Sequence, residues 1–188
     1  MTTPHIEKIG LVAHYSEAGD WAFEAALRLA RDRHAALNIF QFLESPYEAP
    51  LDAAPADTCQ RSRYGAEGIQ ADRALREYYD ERLGDFVDVG FRVCESARHN
   101  RELRRCLKRK EYQLLFIPYP QCGATFANMP IEEFAFRFGA PIALVGPERP
   151  DQIRLNPPAM LIVRSTAPFL GHCAPVQTPM AYQPLPVI

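Results

Sequence analysis

Over its first 150 residues the chain alternates short apolar runs with segments of helical period, and that alternation restricts it to few folds. Residues 9–13 (IGLVA) form an unbroken apolar run, the pattern of a strand covered on both faces. A turn over 14–19 leads to Asp20, which is placed to cap a helix carrying Ala22, Ala25, Ala26 and Leu29 on one face. Glu24 and Arg28 add a four-spaced ion pair on that helix. Residues 37–43 (LNIFQFL), rich in aromatic and branched side chains, give a second strand. Residues 45–70 break the rhythm with Pro46, Pro50, Pro55, Gly65 and Gly68, an irregular insert of the kind that carries function. A helix over about 72–83 follows, with Leu75, Tyr79 and Leu83 four apart. Residues 86–94 read as a third strand, and Asn100 can cap a short helix bearing Leu103, Cys106 and Leu107. The fourth strand is 114–117. A helix over 131–138 ends at Gly139, ahead of a fifth strand at 141–145 (PIALV).

This order predicts an α/β fold: an open parallel five-stranded sheet flanked by helices, Rossmann-like, with right-handed crossovers. In such sheets ligands sit beyond the carboxyl ends of the strands, where the strand order reverses. With strands 1 and 4 side by side, the turns after Ala13 and Ile117 line that crevice. The stretch LLFIPYPQCGATFANMP (114–130) therefore lies where a ligand is expected, yet it runs into two prolines rather than a glycine-rich turn. Residues 1–150 are read as the α/β domain. Residues 151–188 hold seven prolines and one acid, Asp151, and are read as an extended, proline-rich carboxyl-terminal arm with one short strand at 160–163.

A formal net charge of −2 counts against bulk nucleic-acid binding. No apolar run approaches the roughly 18 residues of a membrane span, and the amino terminus lacks an apolar signal core. The expectation is a cytoplasmic protein without membrane attachment. The five cysteines (Cys59, Cys94, Cys106, Cys122, Cys173) contain no CxxC pair, so no zinc knuckle or thioredoxin-like motif is expected. Cys94 and Cys106 fall in apolar patterns that predict burial.

His14 and Cys122 both fall at the crevice, but no acidic orienter or oxyanion signature accompanies them. They are read as a turn histidine and a loop thiol, and no catalysis is expected. Nothing in the spacing of His14, His99 and Cys122 fixes a metal geometry, so no metal site is assigned. The basic run RELRRCLKRK (101–110) flanks the apolar Leu103 and Leu107. It reads as a solvated amphipathic helix, without the interleaved aromatics of a base-stacking surface.

Residues 6–146 resemble the universal stress protein family. IGLVAHYSEAGDWAFEAALRLARDRHAALNIFQF is similar to the family's first strand, Ser-bearing turn, helix and second strand. LRRCLKRKEYQLLFIP resembles its helix entering strand four, and FGAPIALVG its proline-led last strand. Members that bind ATP carry an Asp after strand one and a Gly-x2-Gly-x9-Gly-Ser/Thr loop after strand four. Here His14 stands at the Asp position, while Ser16 matches the family's Ser. Pro118 and Gln121 stand at the first two glycine positions, and Asn128 and Met129 fall at the third glycine and the hydroxyl. Glycines let backbone N–H groups approach phosphates, whereas Pro118 and Pro120 have no N–H to offer.

The resemblance therefore implies a stress-response or regulatory protein that is not an enzyme, has no cofactor and does not bind ATP. Its partners would be a second copy of itself and an unidentified protein or small ligand. The alternative is a nucleotide-binding member with an atypical phosphate loop, and an adenosine slot without a phosphate grip stays open. His14, Ser16, Phe42, Tyr119, Gln121 and Cys122 are the candidate crevice residues. The family's last strand commonly pairs with its copy in a second subunit, which assigns a dimer interface to Pro141, Ile142, Ala143, Leu144 and Val145. The competing reading is that the arm folds back over that edge and leaves a monomer.

Overall fold

The apolar runs form strands because each can be buried on both faces, with alternate side chains serving opposite layers. A computed structural model describes residues 5–47, 64–96, 103–105, 109–146 and 153–165. Its main sheet contains β1 (Lys8–Val12), β2 (Ala36–Glu44), β3 (Val89–Ser96), β4 (Leu114–Pro118), β7 (Ile142–Val145) and β8 (Ile153–Leu155). Their order is β3-β2-β1-β4-β7-β8. The first five strands are parallel, and β8 pairs antiparallel with β7. Chain order reverses at β1, which lies between β2 and β4, so the switch point falls where the sequence places it. A separate hairpin joins β5 (Thr125–Phe126) to β6 (Met129–Pro130).

Ile9, Leu11, Leu37, Ile39, Leu114, Phe116, Ala143 and Val145 face one layer. It is covered by α1 (Glu17–Arg33), α2 (Tyr64–Leu83) and Ala159 of α4 (Pro157–Ser165). Val12, Phe40, Phe42, Leu115, Ile117, Ile142 and Leu144 face the other, packed with α3 (Ile131–Arg137), Leu103, Tyr112 and the hairpin. Among the described residues no helix is long and apolar enough to cross a membrane.

Several boundaries differ from the sequence reading. Ser16, not Asp20, caps α1: its hydroxyl oxygen accepts the Gly19 amide at 3.1 Å. Asp20 instead accepts from Tyr78 and Arg82 of α2, joining the two helices. Helix α2 starts at Tyr64, so Gly65 and Gly68 do not end the insert. A Cβ at Gly68 would meet nothing within 4 Å, which fits a helical site with no packing demand. Strand β3 begins at Val89, because Gly84 turns the chain with φ 60° and the Phe86 amide closes onto Leu83.

The larger correction is beyond residue 150. The sheet has six strands rather than five, and the sixth comes from the segment read as an arm. Residues 160–163 are helical, not extended. Asn156 starts α4 by accepting the Ala159 amide at 3.0 Å, and the proline pair that follows sits in the first turn, where a missing N–H costs nothing. The same Asn156 oxygen accepts the Ile142 amide at 3.0 Å. Its nitrogen donates to the Ala135 carbonyl at 3.1 Å and to that of Ala140. Asn156 is only 6% exposed, and all its capacity is used.

Strand β7 therefore has no open edge. The interface assigned to Pro141, Ile142, Ala143, Leu144 and Val145 is covered by β8, and Ile142, Ala143, Leu144 and Val145 are buried within the chain. His99, Asn100, Cys59, Cys106, Leu107, Cys173 and the remaining parts of the insert and the arm lie outside the described residues.

Candidate functional site

The crevice opens between the carboxyl ends of β1 and β4, and three segments meet there. The first is the turn after β1. His14 Nδ1 lies 2.7 Å from Ser16 Oγ, and the same oxygen accepts the Gly19 amide. Burial holds the His14 imidazole below its ordinary value. A neutral ring accepting at Nδ1 leaves Ser16 as the donor and puts the ring proton on Nε2. Gly19 permits this turn: a Cβ there would lie 1.7 Å from the His14 carbonyl oxygen.

The second segment follows β4. Four backbone donors here are committed to the protein itself. The Tyr119 amide donates to Val145, Ala124 to Gln121, Ala127 to Pro46 and Ile131 to Ala124. Pro118, Pro120 and Pro130 have no N–H. The Tyr119 hydroxyl bonds to Glu132 of α3, and the Gly123 backbone reaches the same hydroxyl. Burial, reinforced by Glu132, pushes this phenol up to about 12. Arg154 of β8 stands over the Tyr119 ring, 5.3 Å from its centre, and pairs with Glu132 at 3.4 Å. The loop then folds into the β5–β6 hairpin, with Ala127 and Asn128 at φ 51° and 64°, the signs of a type I′ turn.

The third segment follows β2, and Tyr47 on it touches both of the others. The Tyr47 hydroxyl donates to the Pro118 carbonyl at 2.6 Å. Its ring meets His14 edge-on with centroids 4.5 Å apart, and meets Phe126 likewise at 5.0 Å. Tyr47 also bridges Phe126 in antiparallel fashion, so this segment forms a third rung on the hairpin. Burial raises the Tyr47 phenol well above its ordinary value, which keeps it a donor.

His14 and Ser16 are in contact at the turn after β1, beside Tyr47. Phe42 belongs to the packed layer beneath it. The Tyr119 hydroxyl is committed to Glu132 rather than offered to a ligand, while Gln121 and Cys122 are exposed on the loop. Tyr47 was missed, because a residue in an irregular insert carries no periodicity. The short Thr-Phe-Ala-Asn-Met alternation with Asn at its turn was the available signal for the hairpin.

Comparison with solved structures decides the fold. The universal stress protein UspA from Lactobacillus plantarum superposes with a TM-score of 0.52, over 76% of this chain and 99% of that one, at 14% identity. The fold is that of the universal stress proteins. A member of the universal stress protein family from Burkholderia pseudomallei aligns at 18% identity over 74% of this chain and 95% of its own, with a TM-score of 0.49. No protein-family model and no curated protein matches the sequence. Within the universal stress protein fold, the candidate site is the end of the sheet at which this chain places Tyr47, His14 and the hairpin.

Proposed function

We propose that this is a stress-response or regulatory protein of the universal stress protein type that does not bind ATP and acts through contacts with other proteins. One observation carries the reading: Tyr47 spans the switch point, with its hydroxyl on Pro118 and its ring between His14 and Phe126. A nucleotide would have to displace that ring. It would then meet a loop in which the amides of Tyr119, Ala124, Ala127 and Ile131 already have carbonyl partners. Freeing each such donor costs about as much as a net hydrogen bond, ~1 kcal/mol, before any phosphate is held. The absence of catalysis is part of the same reading, since His14 is engaged by Ser16 and Tyr47, and among the described residues no acid is bonded to it.

The self-pairing surface is read differently from the first expectation. Dimerisation through β7 would require β8 to leave or to be exchanged between copies, so a homodimer of this fold would have to use another surface, such as the β8 or β3 edge. Calorimetric titration of the full chain with ATP, ADP and AMP tests the nucleotide reading. The expected result is no binding tighter than millimolar, and a micromolar isotherm overturns it in favour of an atypical phosphate loop. Light scattering at micromolar concentration tests self-association, with a dimer expected and a monomer overturning it.

A further inference from the structure

Tyr47 contacts the crevice as a bound ligand would. Its ring is sandwiched between two aromatic edges, and its one polar atom meets one acceptor. The acceptor is fixed, because the Pro118 carbonyl ends a fully buried strand. The wall is fixed as well. His14 is tied to Ser16 at the cap of α1, and Phe126 packs on Phe134 of α3 with centroids 4.7 Å apart. The tyrosine sits on a segment joined to the hairpin by one bridge and by the Ala127 amide on the Pro46 carbonyl, with its own amide on Ser45 Oγ at 3.2 Å.

We propose that the crevice is a socket for a para-hydroxyphenyl group, occupied in the resting protein by the chain's own Tyr47. This deepens the reading of a self-filled crevice and rests on it. The ligand class is a small para-substituted phenol, with its ring between His14 and Phe126 and its hydroxyl on Pro118. A tethered side chain competes at an effective concentration of about millimolar or higher, so the intact protein excludes weak free phenols. Removing the Tyr47 ring leaves a slot lined by apolar edges and one carbonyl, and such engineered cavities take up matching aromatic molecules.

The test uses the full chain, its Tyr47→Ala and Tyr47→Phe variants, and p-cresol with toluene as the control. Y47A should bind p-cresol by calorimetry, with a rise in its melting temperature. Toluene should bind about fivefold to tenfold more weakly, the loss expected for one hydrogen bond. The parent chain and Y47F, which keeps the ring, should not respond. Equal binding of p-cresol and toluene, no binding to folded Y47A, or equal binding to Y47F overturns the proposal. If Y47A does not fold alone, refolding in p-cresol but not in toluene supports the socket, and failure in both overturns it. These outcomes are independent of the ATP titration, which tests the nucleotide reading by itself.

Discussion

The β7 edge, covered by β8, and the switch point at the ends of β1 and β4 are both closed by the chain itself. The edge is locked by four hydrogen bonds to the single buried side chain of Asn156. The crevice is closed by one hydrogen bond and two ring contacts from Tyr47. A buried amide with every donor and acceptor used cannot leave without orphaning backbone groups in an apolar layer. A tyrosine three residues beyond a strand can leave at the loss of about one hydrogen bond and part of its packing. The first closure makes the fold permanent. The second is the sort of contact that a ligand can replace.

The sharpest way to break this contrast is Asn156→Leu. It strips partners from Ile142, Ala159, Ala135 and Ala140, and each buried group left unpaired costs ~1–3 kcal/mol. Allowing for relaxation, we expect a loss of about 3–4 kcal/mol in urea unfolding. Concentration-dependent association should accompany it as the β7 edge opens. A loss under about 1 kcal/mol would show that Asn156 is dispensable. Next is Gly19→Ala, whose Cβ would collide with the His14 carbonyl. Overpacking of this kind costs ~1–3 kcal/mol. A variant as stable as the parent would mean that the turn carrying His14 yields freely. Tyr47→Phe should cost less, about 1 kcal/mol for one hydrogen bond. Should it match Asn156→Leu, the two closures would be equivalent and the comparison would fail.

The smallest effect concerns pH. Burial lowers the folded-state value of His14, so the unfolded chain takes up a proton first. Stability is then full above the ordinary imidazole value of about 6.5 and declines as pH falls toward the lower folded value. His14→Gln should flatten that decline in melts taken between about pH 7 and 5. An unchanged slope would assign the decline to other groups.

The parallel strands were legible because their apolar runs are continuous and their neighbours periodic. IGLVA, LLFIP and IALV are each buried on both sides, and the adjacency of β1 and β4 followed from the α/β order. The tail differs from its proline-rich expectation because Asn-Pro-Pro before an apolar run is also a helix start. Strand β8 is only three residues long, and Ile-Arg-Leu has no signal of its own until β7 is beside it. The prolines after β4, Pro118 and Pro120, were legible as positions without an N–H to offer. The partnership of Tyr47 with Pro118 was not, since it joins residues 71 positions apart.

The central claim is that Tyr47 occupies the crevice. Its most direct test is nuclear Overhauser contact between the Tyr47 ring and the rings of His14 and Phe126 in the full chain without added ligand. The account predicts both contacts, unchanged by millimolar ATP. Their absence, or their disappearance on adding ATP with shifts at His14 and Ser16, would contradict it.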